Sequence, residues 1–174
     1  EVVGDSMRKF CRDMRSALNE VNENIRMGFC AGYTSWDIEG ADAIELTKLL
    51  AGDTKPFLRF TGAPYWSARD GRRFGAQKLS EIIECTRIQQ QWCETENVEV
   101  FSECDTFPRP RYYVPFNLVE AFDIALRASG VDGVLKYLFC YDCPPDYEEG
   151  YAKRHLRNQP LYDFIDRNFN GKTT

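Results

Sequence analysis

The sequence predicts an α/β fold: a parallel sheet of about four strands, alternating with helices. Three observations predict it. Segments of strand character alternate with segments of helical periodicity along the whole chain, in the order αβαβαβαβα. The βα repeat is roughly 35–40 residues, the length a strand and its crossover helix require. No low-complexity stretch or linker breaks the alternation, so residues 1–174 are expected to form a single α/β domain. Strands separated by helices pair in parallel through right-handed crossovers.

Each element has its own warrant. Met7, Phe10, Cys11, Met14, Leu18 and Val21 recur every three or four residues, one apolar stripe on a helix that Asp5 or Ser6 can cap. Arg26 to Tyr33 reads as a strand that runs out in small residues. Ala41 to Leu50 reads as a short helix closed by Gly52, and Pro56 to Thr61 as a second strand followed by a loop of Gly, Pro and aromatics. Leu79, Ile82, Ile83 and Thr86, extended to Trp92 or Cys93, mark a long helix. Val98 to Ser102 is a third strand. Phe116 to Ala128 is a helix with Leu118, Phe122, Ala125 and Leu126 inward, closed by Gly130. Gly133 to Tyr141 is the fourth strand, and Tyr151 to Phe169 a last helical region with a break expected near Pro160.

This order matches the C-terminal half of a TIM (β/α)8 barrel. The alternative is a flavodoxin-like doubly wound sheet, but no G-x-G-x-x-G or phosphate loop is present and Gly28 with Gly32 is a weak substitute. The chain opens on Glu1, not Met, and so reads as a fragment of a larger barrel protein.

Bulk composition excludes several classes. At 43% hydrophobic and 14% aromatic residues there is material for a core, which argues against disorder. Twenty-two basic against 27 acidic residues leave a net charge of −5, so no nucleic-acid partner is expected. No apolar run approaches the ~20 residues of a membrane span, and no leader peptide is visible. The seven cysteines are odd in number and lie mostly among apolar residues, which fits buried thiols in a reducing, cytoplasmic compartment. Cys140 and Cys143 form a lone C-x-x-C followed by Pro144 and Pro145. With a single histidine, His155, no four-ligand zinc set is apparent, and neither a metal nor a cofactor is expected.

Chemistry in parallel α/β folds gathers at the carboxyl ends of the strands. Here the first strand runs into Tyr33, Trp36 and Asp37, and the second into Tyr65 and Trp66. The third runs into Glu103, Asp105, Arg109 and Arg111, and the fourth into Tyr141 and Asp142. Aromatic planes beside carboxylates and arginines suit a sugar ring, which offers apolar faces and hydroxyl edges; the same aromatics also serve to cover a barrel rim. Glu103 is the sharpest candidate. A carboxylate there can attack an anomeric carbon or stabilise an oxocarbenium ion, with a nearby arginine holding it ionised. Its plainer reading is an exposed loop glutamate.

The segment Val100-Phe-Ser-Glu-Cys-Asp-Thr-Phe-Pro-Arg-Pro-Arg111 resembles an SEGDTYPRPR-type segment of large glycoside-hydrolase-like proteins. Met27 to Asp37 and Phe57 to Trp66 are similar to the preceding strands of the same barrels. The resemblance covers most of the chain and points to clan A glycosidases. It implies that Glu103, at the end of the seventh barrel strand, is the nucleophile. It also implies that the acid/base glutamate follows a fourth strand, which would precede Met7. Cys104 stands where that pattern has glycine.

Two functions compete on this scaffold: part of a retaining glycosidase, inactive by itself, and a non-catalytic carbohydrate-binding or protein-interaction module. Carbohydrate is the expected ligand. The expected protein partner is a second copy of the chain, or the missing N-terminal half of the barrel, because a half barrel leaves two sheet edges open.

Overall fold

The computed structural model describes residues 2–31, 37–38, 40–60, 79–105, 115–137 and 149–169. The elements run α1 (Val2–Asn22), β1 (Phe29–Ala31), β2 (Asp37–Ile38), β3 (Ala41–Asp42), α2 (Ala43–Ala51), β4 (Phe57–Phe60), α3 (Leu79–Thr95), β5 (Glu99–Asp105), α4 (Phe116–Ala128), β6 (Gly133–Tyr137) and α5 (Glu149–Asn168). Four strands form a parallel sheet in the order β1-β4-β5-β6, which is their order along the chain. That is the expected α/β parallel sheet, and the order lacks the reversal that a doubly wound sheet carries at its switch point. No described helix is long and apolar enough to cross a membrane.

By contacts the chain groups into two compact units, Glu1–Thr61 with Gln89–Phe101, and Gly62–Ile88 with Ser102–Thr174. In the first, α1 lays Cys11 against Leu46 and Leu50 of α2, with Met7, Met27, Phe29 and Leu49 around them. β1 pairs with β4 in parallel, Phe29 opposite Leu58 and Ala31 opposite Phe60. Gly28 allows the close approach: a Cβ there would lie 2.4 Å from the Phe57 ring and carbonyl. The Phe57 ring also meets Phe101 edge to face at 5.3 Å, and the Arg26 guanidinium lies 5.1 Å from the Phe57 centroid.

Arg15 is buried, and its position explains how α1 ends. Its guanidinium donates to the carbonyl oxygens of Ile25 at 2.8 Å and Glu23 at 3.4 Å, and to Asn19 Oδ1 at 2.7 Å. Those bonds satisfy the chain leaving the helix, where no intrahelical donor is available. α2 begins at its cap. Asp42 Oδ1 accepts from the amides of Ile44 at 2.6 Å and Glu45 at 3.4 Å, and Gly52 ends the helix at φ 57°, with the Arg15 stem beside it.

Several local expectations change. α1 starts at Val2, so Asp5 and Ser6 lie within its first turns and do not cap it; Ser6 Oγ donates back to the Val2 carbonyl at 2.8 Å. Ala41 and Asp42 pair with Ile38 and Asp37 in the short antiparallel β2-β3 ladder, and the helix begins only at Ala43. β5 continues through Asp105, three residues past the expected end at Ser102. α5 runs unbroken through Pro160, because Tyr151, Tyr162 and Ile165 bury on both sides of it and hold the helix together despite the lost amide bond. The expected strand ends at Tyr33 and Tyr141 lie outside the described residues.

In the second unit, α4 buries Val119, Phe122, Asp123 and Leu126. α5 packs on α4 through the Phe116 and Tyr151 rings, edge to face at 4.7 Å. Arg154 of α5 donates to both carboxylate oxygens of Glu120 at 2.6 and 2.8 Å, and Asn158 donates to the same carboxylate.

Candidate functional site

Glu103 is the candidate site residue whose side-chain surroundings are described, and β5 sets its direction. Side chains alternate along a strand. Val100, Ser102 and Cys104 are buried, at 4%, 1% and 0% exposure. Cys104 is tied to α4, because its thiol donates to the Val119 carbonyl oxygen at 3.5 Å. Glu103 therefore stands on the face of β5 turned away from α4. It is half-buried and lies two residues before the strand's carboxyl end.

Asp105 closes β5 and Asp37 opens β2, both as strand residues. Tyr33, Trp36, Tyr65, Trp66, Arg109, Arg111, Tyr141 and Asp142 lie outside the described residues, as do Cys140 and Cys143. Cys11, Cys30, Cys85, Cys93 and Cys104 are thiols, and burial pushes the Cys11 thiol up. Among the described residues, no group of three or more His, Cys, Asp or Glu is placed to hold a metal ion.

Elsewhere on the first unit a shallow groove is lined by Asp42, Ile44, Glu45, Lys48, Trp92 and Glu96. Its carboxylates already have structural tasks. Asp42 caps α2, Glu45 accepts from Arg8 at 2.8 Å, and Glu96 pairs with Lys48 at 2.5 Å. Glu99 pairs with Lys55 at 2.7 Å and with Arg26. Burial opposes its charge, but hydrogen bonds from Lys55 and Arg26 outweigh that and hold its carboxyl below the usual carboxylate range.

The reading of strand ends missed a polar cluster buried between α4, β6 and α5. Asp123 is fully buried; its Oδ1 accepts from Arg127 Nε at 2.7 Å and its Oδ2 faces the Lys136 ammonium, whose side chain is 8% exposed. Lys136 Nζ also donates to Tyr162 Oη at 3.1 Å and lies 2.8 Å from His155 Nδ1. Arg127 pairs in turn with Asp166 and covers the Tyr162 ring, with its Cζ 4.9 Å from the centroid. The signals were present: a carboxylate inside the apolar stripe of a helix, and a lysine in mid-strand.

Comparison of the chain with protein-family models, with curated proteins and with solved structures finds no match.

Proposed function

We propose that the chain is the C-terminal half of a glycoside-hydrolase-like barrel that acts on carbohydrate, with Glu103 as the carboxylate presented to the sugar. The observation that carries this reading is the direction of Glu103. It lies near the carboxyl end of a parallel strand, on the face opposite the helix layer, which in a barrel is the interior. Sequential strand order adds support, because a barrel half places neighbouring βα units side by side.

In this reading Glu103 attacks the anomeric carbon and the glycosidic oxygen leaves. A retaining reaction needs a second carboxyl group about 5–5.5 Å from the first, to protonate that oxygen and later activate water. The resemblance puts that acid on a strand before Met7. The chain by itself then binds sugar and does not turn it over.

An activated 2-deoxy-2-fluoro glycoside with a dinitrophenolate leaving group tests the assignment, because that group departs without a proton. The expected result is a stable glycosyl ester on Glu103, found by mass spectrometry of peptides and absent from Glu103→Gln. Sugar binding without any adduct would leave the chain a carbohydrate-binding module.

The proposed protein partner completes the sheet. β1 and β6 are its end strands, and α1 and α5 present apolar side chains to solvent, among them Phe10 at 62% and Leu156 at 70% exposure. A second copy, or the upstream half of the barrel, would cover these surfaces. A cytoplasmic setting fits the thiols of the described cysteines.

A further inference from the structure

The cluster around Lys136 holds more than a structural ion pair, and its chemistry is independent of the carbohydrate reading. An ammonium has donors only. With Lys136 Nζ at 2.8 Å, His155 Nδ1 must be the acceptor, so the imidazole is neutral and carries its proton on Nε2. The ring is stacked on Tyr162, 5.2 Å between centroids, which limits its freedom to turn away.

The charges that face it come from all three packed elements. α4 contributes Asp123 and Arg127, β6 contributes Lys136, and α5 contributes the phenol of Tyr162, while Asp166 of α5 pairs with Arg127 at the edge of the cluster. The two carboxylates balance the two cations only while His155 is neutral. A proton on Nδ1 would set two donors against each other and leave an uncompensated positive charge in a largely buried place.

We propose that the Lys136 to His155 contact is an acid-operated latch: protonation of His155 breaks it and loosens α5 from β6 and α4 within the second unit. Neutral His155, Tyr162 and Asp166 fasten three successive stretches of α5, so loss of the first weakens the hold on the middle of the helix. Tyr151 against Phe116, with Arg154 and Asn158 on Glu120, still hold the amino-terminal half to α4. Burial first, and the Lys136 charge second, already disfavour the imidazolium and lower its pKa. The latch therefore stays closed near neutral pH. It opens as pH falls below the ordinary imidazole value of about 6.5, by up to about tenfold in the opening equilibrium per pH unit.

His155 is the chain's sole histidine, so its imidazole signals are unambiguous in nuclear magnetic resonance of the full chain. The expected spectrum has Nε2 protonated and Nδ1 bare, with a titration midpoint below about 6.5. Signals of Tyr151, Tyr162 and Ile165 move with that same midpoint, while those of α1 and α2 stay in place. His155→Asn keeps an acceptor near the Nδ1 position without a titrating group, and the α5 transition should vanish. The latch is overturned if α5 signals stay fixed while His155 titrates, or if His155→Asn keeps the transition. Should the variant fail to fold, the coincidence or divergence of the two midpoints in the unsubstituted chain decides.

Discussion

Cys104 on β5 and Val119 on α4 are joined by a thiol-to-carbonyl hydrogen bond of 3.5 Å, and Cys104 is completely buried there. That contact shows which face of β5 meets α4. One residue earlier, Glu103 is turned the other way by the strand's two-residue period. A one-residue slip would bury the carboxylate under α4 and expose the thiol, so the register and the site stand or fall together. Cys104→Ser keeps a donor of smaller radius and should fold. Cys104→Glu should not, because it places a carboxylate against the Val119 carbonyl oxygen with no donor to meet it. Far-ultraviolet circular dichroism and a thermal melt separate the two.

Asp123→Ala should be among the most damaging single changes in the second unit. It leaves the Lys136 and Arg127 charges buried without their shared carboxylate, a loss of about 3–5 kcal/mol. In a chain of this size that lowers Tm by on the order of 10 °C. The double variant Asp123→Leu with Lys136→Met removes the carboxylate together with the lysine, leaves Arg127 to Asp166, and should recover part of the loss. Scanning calorimetry checks this, and a double variant as unstable as Asp123→Ala would show that the pair is not the cause.

Much of this architecture is legible in the residues alone, for identifiable reasons. The spacing of Leu118, Phe122, Ala125 and Leu126 marks α4, although the buried face is Val119, Phe122, Asp123 and Leu126, and the run from Val98 to Ser102 marks β5. The end of β5 is not legible in this way: Glu103, Cys104 and Asp105 look like the start of a loop, and pairing within the sheet extends the strand through them. Pro160 reads as a helix break because propensity is local, whereas the burial of Tyr162 and Ile165 that overrides it is tertiary. The direction of Glu103 requires Cys104 to be placed on Val119, a contact between residues fifteen apart that no local pattern states.

Stability should fall in acid partly through Glu99 and Glu120. Hydrogen bonds from Arg154 lead in holding Glu120 below the usual carboxylate range. At Glu99 burial opposes the charge, and Lys55 and Arg26 overcome it to the same end. A carboxyl whose folded pKa is depressed contributes stability that is complete above its unfolded value, near 4.3 for glutamate, and is lost as pH falls through the folded value. Glu99→Gln and Glu120→Gln should each flatten the decline in unfolding free energy below about pH 4.5. Urea titrations at stepped pH measure it; unchanged slopes in both variants would contradict the assignment.

The cap of α2 provides a smaller test. Asp42→Ala removes the acceptor for the Ile44 and Glu45 amides and should cost about 1 kcal/mol, whereas Asp42→Asn or Asp42→Ser should cost less than half of that. Chemical denaturation resolves the difference, and an Asn variant as unstable as Ala would mean that the cap bond is not what holds the helix start.

Self-association is expected from the two end strands and from the apolar side chains exposed on α1 and α5. Light scattering should give a mass near twice 20.2 kDa that falls on dilution. Phe10→Glu should shift the mixture toward monomer. A concentration-independent mass of 20.2 kDa would mean that the edges are covered within one chain.

The most direct test of the carbohydrate reading is equilibrium binding of the intact chain to a panel of immobilised mono- and oligosaccharides, beside Glu103→Gln. Saturable binding to at least one glycan class is predicted, with at least a tenfold weakening in Glu103→Gln, about 1.4 kcal/mol for one charge-assisted contact. The melting temperature of the variant should stay within a few degrees of the parent. Binding that is indifferent to Glu103→Gln, or none across the panel with the chain fully folded, would contradict it.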